Sequence, residues 1–189
     1  MWIFGYGSLI WKPGFDWVER RVGFVRGWQR RFYQGSFDHR GVPGNPGRVV
    51  TLLPDESSAT WGVVFRIEGE EAQRVLARLD HREKGGYQRH RVPIFDGAPT
   101  DEYIEPTVDE ALVYVATENN PNYLGPAPPD AIARQVFEAK GPSGHNAEYV
   151  MRLAESLRQF EVEDPHVFAI DAALRKLLEQ HQENPKMPF

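Results

Sequence analysis

The hydrophobic pattern of this chain changes about two thirds of the way along it, and that change limits the fold more than any other feature. Up to about residue 116, β-branched and aromatic residues occur in short runs separated by turns that contain glycine or proline, as in strands. From about residue 130, apolar residues recur every three or four positions, as on one face of a helix. Strands followed by helices, with one helix among the strands, predict an α+β fold.

Turn signals set the limits of the predicted strands. The first strand is expected to run into a tight turn that contains Gly5, Gly7 and Ser8. Residues 18–34 are predicted as two strands with a bend or bulge between them, and residues 54–60 as a turn between two further strands. The predicted strands cover residues 2–6, 18–34, 48–53, 61–67, 87–95 and 111–116.

One helix is predicted among the strands. Ala72, Val75 and Leu79 lie on one face of this helix. Glycine commonly follows a helix, and Gly85 and Gly86 mark the end of this one. We therefore expect Glu83 and Lys84 just past the helix end.

Three helices are predicted in the last third of the chain, and capping signals mark their ends. Gly141 is expected to stop the first helix, Ser143 to cap the second, and Asp164, which precedes a proline, to cap the third. These helices are predicted at residues 130–140, 146–160 and 165–180.

Length and composition indicate one globular domain. The chain has 189 residues, of which 41% are hydrophobic and 26% charged, so we expect a single domain over residues 1–189 with the C-terminal helices packed on it. The apolar run at residues 1–11 is too short and too broken by glycine to span a membrane, and it lacks the basic start of a signal peptide. We therefore expect a cytoplasmic protein without a membrane segment.

Charge argues against nucleic acid as a partner. The formal net charge of −5 at pH 7 repels a phosphate backbone unless a strong local basic patch opposes it. The best candidate patch is a group of arginines interleaved with apolar residues, which we expect on the solvent faces of strands. Its members are Arg20, Arg21, Arg26, Arg30 and Arg31.

The residue types give no support for a metal or a nucleotide cofactor. The sequence contains no cysteine, which excludes disulfides, thiolate catalysis and cysteine-ligated metals. The six histidines show no ligand spacing on a helix, and there is no Gly-Lys-Ser/Thr phosphate loop. We expect a protein that uses neither a metal nor a cofactor.

Three stretches, at residues 6–9, 34–48 and 82–87, are dense in glycine, tyrosine and polar side chains. A strand that ends in a Gly-Ser turn can direct several backbone N–H groups into one concavity, which suits a carboxylate or a developing oxyanion. Ser8 does not match the nucleophile-elbow pattern, so it is a better anion ligand than nucleophile. From these residues alone, an ordinary turn and a solvated Glu83 carboxylate remain open alternatives.

Several motifs follow one another in order between residues 1 and 150. They are GYGSLIW at 5–11, RRFYQGS at 30–36, DHRGVPG at 38–44, GRVVTL at 47–52, REKGGY at 82–87, NYLGPAP at 122–128, and GPSG at 141–144 with Asn146, Glu148 and Tyr149 after it. In order and spacing, these motifs resemble the ChaC family of γ-glutamylcyclotransferases.

This resemblance implies a fold, a substrate and a set of site residues. The implied fold is a γ-glutamylcyclotransferase-like mixed β-barrel or twisted sheet with flanking helices. The implied substrate is glutathione, which is converted to 5-oxoproline and cysteinylglycine with Glu83 as the catalytic carboxylate. The implied substrate-binding residues are Tyr6, Gly7, Ser8 and Leu9 in the first turn and Tyr123, with Gln34, Ser36 and Arg48 as pocket neighbours by motif membership.

In the implied reaction, the free α-amine of the substrate attacks the side-chain carbonyl of the same glutamyl residue. Glu83 would take a proton from the ammonium and return it to the leaving amine, for which partial burial beside aromatic rings would have to raise its pKa. Two alternatives stay open: the pocket could prefer other γ-glutamyl compounds, or the chain could be a binding module that holds acidic metabolites without turnover.

Overall fold

The computed structural model describes residues 1–83 and 86–183, with the side chains of residues 80–83 left undescribed. These residues form two compact units. Unit 1 consists of Met1–Arg30 and Thr51–Pro121, and unit 2 consists of Arg31–Val50 and the chain from Asn122 onward.

A five-stranded mixed sheet forms the framework of unit 1, and two of its strands continue into unit 2. β1 runs antiparallel to β3 and parallel to β5, and β4 runs antiparallel to β5. The strand order is β2-β3-β1-β5-β4. The strands are β1 (Trp2–Gly5), β2 (Glu19–Ser36), β3 (Gly47–Arg66), β4 (Tyr87–Ile94) and β5 (Val108–Ala116).

Aromatic and β-branched side chains from these strands fill the core of unit 1. Phe24, Phe65 and Val113 are completely buried, as strand residues facing a core are expected to be. The helix α1 (Gly69–Glu83) packs against β4, with Val75 and Leu79 on its buried face. Each such side chain stabilises the fold by roughly 1.5–3 kcal/mol through burial.

The strands β2 and β3 are longer than the sequence predicted. Residues 19–36 form one continuous strand of 18 residues and not two, and Gly27 adopts a φ of +78° within it, a conformation that glycine allows. The turn predicted at residues 54–60 is wrong, since β3 continues for 20 residues through this segment. Pro54 lies outside the pairing of β1 with β3, which covers only Val63–Arg66, so its missing N–H removes no β1–β3 bond.

The mixed α+β class is confirmed, but the predicted barrel is not closed. β2 and β4 are the two outer strands of the sheet, and the bridge described between them joins Phe24 in β2 to Phe95, the residue that follows β4. The register of β4 shifts between Val92 and Ile94, where Pro93 has no N–H to donate. Among the described residues, the backbone hydrogen bonds therefore do not continue from the last strand back to the first to close a barrel.

Unit 2 contains three helices that pack on one another. They bury a shared set of aliphatic residues, among them Val136, Leu153, Val167 and Leu174. A two-stranded hairpin, β6 (Lys140–Gly141) and β7 (Gly144–His145), separates the first two helices. The helices are α2 (Pro129–Glu138), α3 (Asn146–Gln159) and α4 (Pro165–Glu183).

The capping predictions have different outcomes. Asp164 caps α4 as expected, since its Oδ1 accepts a hydrogen bond from the N–H of Val167 at 3.1 Å. Ser143 does not cap α3, because it lies in the turn between β6 and β7, and His145 occupies the N-cap position. Gly141 likewise lies in β6, and α2 has already ended at Glu138.

The arginine cluster of β2 is not uniformly exposed. Arg20 and Arg21 face solvent, but Arg30 is only 2% exposed and donates a hydrogen bond to the carbonyl of Trp61. The prediction of a wholly solvent-facing group is therefore wrong at Arg30, where a backbone acceptor compensates for burial. Within the described ranges, no helix is long and apolar enough to cross a membrane.

Candidate functional site

The turn after β1 presents backbone donors. Gly7 precedes a single turn of 3₁₀-helix, Ser8–Ile10, in which the N–H of Ile10 donates to the carbonyl of Gly7 at 3.0 Å. Ser8 and Leu9 come before the first helical hydrogen bond, so the helix does not use their N–H groups. The turn predicted from the sequence is present, and its helical hydrogen bonds leave the N–H groups of Ser8 and Leu9 unused.

Close backbone packing shapes this turn. A Cβ atom on Gly5 would lie 2.6 Å from the Cβ of Leu9, and a Cβ on Gly62 would lie 2.4 Å from the carbonyl oxygen of Gly5. Neither contact involves the movable end of a long side chain. Leu9 can therefore pack against Gly5, and Gly62 against the carbonyl of Gly5, only because both glycines lack a side chain.

Replacing Gly5 with alanine should displace the turn at Leu9 and lower kcat/KM by roughly 100-fold, because misplacing a binding group by about 1 Å has effects of this size. Steady-state kinetics on glutathione, the substrate that the sequence resemblance implies, and thermal unfolding would be measured together. The control is Gly69→Ala, at a position with open space around it, which should lose stability through its φ of +60° but keep kcat/KM. Equal losses of kcat/KM in the two variants would contradict this account of the turn.

Tyr6 anchors the turn to the sheet. Its ring is buried, and its hydroxyl donates a 2.7 Å hydrogen bond to the carbonyl of Tyr114 in β5. This bond fixes the residue that links β1 to Gly7. The described contact thus gives Tyr6 a role in shaping the turn.

Glu83 lies at the end of α1 and not beyond it. It is the last residue of the helix, so the expectation that it follows the helix end is wrong. Lys84 and Gly85 lie outside the described residues. Gly86, the residue before β4, lies close to Asn120. A Cβ atom on Gly86 would lie 2.9 Å from Nδ2 of Asn120.

A second group of predicted site residues lies in unit 2. Gln34, only 1% exposed, forms an antiparallel bridge with Tyr123. On either side of this bridge, the N–H of Gly35 donates to the carbonyl of Asn122 and the N–H of Leu124 to that of Tyr33, each at 2.8 Å. The structure thus brings Gln34 and Tyr123 together, although they are far apart in the sequence.

Arg48 is buried in unit 2 and its guanidinium holds several elements. Nη1 donates to the carbonyls of Phe32 and Gly125, each at 3.0 Å, and Nε donates to Oε1 of Gln135 at 2.6 Å. Burial lowers the pKa of Arg48, and the neighbouring hydroxyls of Tyr33 and Tyr123 partly oppose this effect. These contacts connect Arg48 to the segments on both sides of Tyr123.

Asn146, for which the motifs predicted no role, holds the backbone of Arg48. Its Oδ1 accepts from the N–H of Arg48 at 2.6 Å, and its Nδ2 donates to the carbonyl of the same residue at 2.8 Å. Asn146 has no exposed surface. Asn146 follows the GPSG motif, and that position indicated that the residue matters. The motif could not show that Asn146 bonds to Arg48, which is 98 residues away in the sequence.

Ser36 stabilises the loop that follows β2. Its Oγ accepts a hydrogen bond from the N–H of Arg40 at 2.9 Å. The Arg40 guanidinium in turn donates to the carbonyl of His145 and to Oε2 of Glu148, both at 2.9 Å. The described contacts of Ser36 are therefore within the loop and its attachment to α3.

Glu148 makes the stability of this attachment dependent on pH. Hydrogen bonds from Arg40 and Arg152 lower the pKa of Glu148 in the folded protein. A lowered folded-state pKa means that the carboxylate stabilises the fold above its unfolded value of about 4.3, and that this contribution is lost as the pH falls through the folded value.

Glu148→Gln should therefore have a lower free energy of unfolding than the wild type near neutral pH. The decrease should be no more than about 1 kcal/mol, because the side chain is partly exposed. The difference should disappear once the pH has fallen below the lowered folded-state pKa of Glu148, where both proteins carry an uncharged group. Urea unfolding at the two pH values measures this, with the exposed Glu155→Gln in the same helix as control. A difference that persists unchanged in acid would refute the assignment.

The predicted site residues thus fall into two groups. Unit 1 contains the turn Tyr6–Leu9 and Glu83, and unit 2 contains Gln34, Ser36, Arg48 and Tyr123. Among the residues whose placement is described, no group of three or more histidine and acidic side chains is arranged to hold a metal ion.

Comparison with known proteins identifies the family. The family model described as ChaC-like protein matches residues 1–177. The human protein named glutathione-specific gamma-glutamylcyclotransferase 1 is 47% identical over 182 residues, covering 94% of this chain and 80% of that protein. Gamma-glutamylcyclotransferase 2-3 of Arabidopsis thaliana is 43% identical and covers 97% of this chain and 92% of its own length.

A solved structure agrees with this match. The crystal structure of the yeast γ-glutamyl cyclotransferase specific to glutathione superposes with a TM-score of 0.83 at 31% identity, covering 93% of this chain and 96% of the yeast chain. Together with the family match over nearly the whole length, these similarities establish that the chain belongs to the ChaC-like family.

Proposed function

We propose that this chain is a γ-glutamylcyclotransferase that cleaves glutathione to 5-oxoproline and cysteinylglycine. The observation that carries the proposal is the similarity, over nearly the full chain, to curated relatives whose names state this activity. The N–H groups of the turn after β1 support it, because the reaction generates an oxyanion on a substrate that already carries carboxylates.

The reaction needs no external nucleophile. The substrate's α-amine attacks its own γ-carbonyl carbon, a five-membered ring closes, and the amide bond to cysteinylglycine breaks. Because both reacting atoms belong to one molecule, holding the folded conformer can supply roughly 7 kcal/mol of the barrier reduction. The main task of the protein is therefore to hold the glutamyl group in a bent conformation.

Proton transfer is the second requirement. The amine is mostly an ammonium at neutral pH, with a reference pKa of about 8 against about 4.3 for a free glutamate, a mismatch worth about 5 kcal/mol. In our proposal Glu83 accepts the ammonium proton and returns it to the leaving amine of cysteinylglycine. Its position at the end of α1, in the unit that also contains the turn Tyr6–Leu9, is compatible with this role.

The other proposed site residues divide between binding and support. The turn Tyr6–Leu9 is proposed to bind the substrate, with the backbone N–H groups of Gly7, Ser8 and Leu9 directed at a carboxylate or the oxyanion. Tyr123 is proposed to contact the substrate through its half-buried side chain. Three further residues are proposed to support the segments around Tyr123: Gln34, Ser36 and Arg48. The hydrogen bonds described for Ser36 and Arg48 are made to other residues of the protein.

The finer organisation is also part of the proposal. We infer that residues 1–189 act as one domain, with the helices after residue 129 as part of it, and that the protein acts in the cytoplasm. Two-state urea unfolding followed by both tryptophan fluorescence and helical circular dichroism would support one domain. Separate transitions by the two probes would contradict it.

A substrate panel tests the proposed specificity. We expect purified protein to release 5-oxoproline from glutathione with a kcat/KM at least about 10-fold above that for γ-glutamyl amino acids and γ-glutamylamines, because these lack the cysteinylglycine part whose binding favours the transition state. The α-linked isomer of glutathione is the matched negative control. Higher activity on γ-glutamylamines would assign a different substrate to the same reaction, and binding of the panel without turnover would indicate a binding module.

A further inference from the structure

We propose that His166 is a positioning residue for substrate binding, which holds the part of β2 that supports Tyr123. The inference rests on the proposed function, because it gives His166 a kinetic role only if Tyr123 contacts the substrate. His166 lies outside the sequence motifs that indicated the family.

Two side chains hold the backbone of Phe32, which is completely buried. Its N–H donates to Nε2 of His166 at 3.0 Å, and its carbonyl accepts from Nη1 of Arg48 at 3.0 Å. A buried backbone donor requires an acceptor, and here a side chain supplies it. His166 thus fixes the point at which β2 approaches the Tyr123 segment.

The constraint extends from Phe32 to Tyr123 over the next residues of β2. The carbonyl of Tyr33 accepts from the N–H of Leu124, and the N–H of Gly35 donates to the carbonyl of Asn122, each at 2.8 Å, so these two bonds lie on either side of Tyr123. The rings of Tyr33 and Tyr123 meet edge to face at 6.4 Å between centroids, and the ring of Tyr33 also meets the ring of His166, at 5.6 Å. His166 therefore contacts both the backbone and the ring that support Tyr123.

The helix holds His166 in this position. It is the second residue of α4, whose first turn is fixed by the Asp164 cap on the N–H of Val167. Because Nε2 accepts a hydrogen bond, the ring proton lies on Nδ1. A short side chain on a capped first turn has little freedom to leave the N–H of Phe32.

A pair of amide variants that differ by one methylene tests the proposal. In His166→Gln the side-chain oxygen reaches about as far as Nε2, whereas in His166→Asn it reaches only as far as Nδ1. We expect the Asn variant to raise KM for glutathione about tenfold with kcat within about threefold, and the Gln variant to stay within about threefold in both. His181→Asn, in the same helix with its ring on Phe137, is the control and should change neither constant.

Amide hydrogen exchange gives a readout that does not depend on activity. The N–H of Phe32 should exchange faster in His166→Asn than in His166→Gln or the wild type. Equal KM values in the two variants, or unchanged exchange at Phe32, would overturn the proposal. If the wild type does not act on glutathione, the proposed function fails, and with it the kinetic role, while faster exchange in the Asn variant alone would still show that His166 holds β2.

Discussion

Replacing Glu83 with glutamine is expected to lower kcat on glutathione by about 10³-fold or more while leaving the fold intact. Glutamine keeps the shape of the side chain but cannot accept the ammonium proton, and a positioned general acid–base contributes about 10²–10⁴-fold. KM should change little, because the proposed substrate contacts lie elsewhere. The measurement is release of 5-oxoproline under saturating substrate, with circular dichroism and thermal unfolding to verify the fold.

The matched control for this variant is Glu70→Gln in the same helix. Glu70 is an exposed carboxylate paired with Arg74 in the first turns of α1, so its loss should leave kcat unchanged. If Glu83→Gln retained wild-type turnover, Glu83 would not be the acid–base of the reaction. Equal losses in both variants would point to a general effect on α1.

The second large effect is expected on stability. Asn146→Ala removes the partners of both the N–H and the carbonyl of Arg48, and each buried group left unsatisfied costs about 1–3 kcal/mol. We expect the free energy of unfolding to fall by about 3 kcal/mol, measured by urea unfolding. Because Arg48 contacts the segments around Tyr123, KM for glutathione should rise in the fraction that remains folded.

Asn45→Ala provides the comparison for this variant. Asn45 is exposed and its Nδ2 makes one long bond, 3.3 Å, to the carbonyl of Glu138, so its removal should cost less than about 0.5 kcal/mol. A small loss of stability in Asn146→Ala, similar to that of Asn45→Ala, would show that the backbone of Arg48 finds other partners.

Local patterns predicted the elements but not where the long strands end. The helix on Val75 and Leu79 and the cap at Asp164 follow from spacing and residue type within a few positions. The turn predicted near Pro54 fails because the local signal carries no information on which neighbouring strand is present there. Propensity is overruled by tertiary pairing at such positions.

The same limit applies to the candidate site. Motifs indicated Glu83, the turn after β1 and Tyr123, because each lies in a distinctive stretch of sequence. They did not show that Asn146 bonds to Arg48, nor that Arg30 is buried, since both depend on contacts with residues distant in the chain. The motifs therefore indicated candidate substrate-binding residues, whereas the side chains that hold these segments in place became visible only in the structure.

The most direct test of the central claim is the reaction of glutathione with the purified wild-type protein in H₂¹⁸O, followed by mass spectrometry. Intramolecular attack by the amine predicts equimolar 5-oxoproline and cysteinylglycine, with no ¹⁸O in the 5-oxoproline, because water takes no part in breaking the amide bond. Release of ¹⁸O-labelled glutamate would instead indicate hydrolysis and contradict the cyclotransferase mechanism, and unchanged glutathione would contradict the proposed activity.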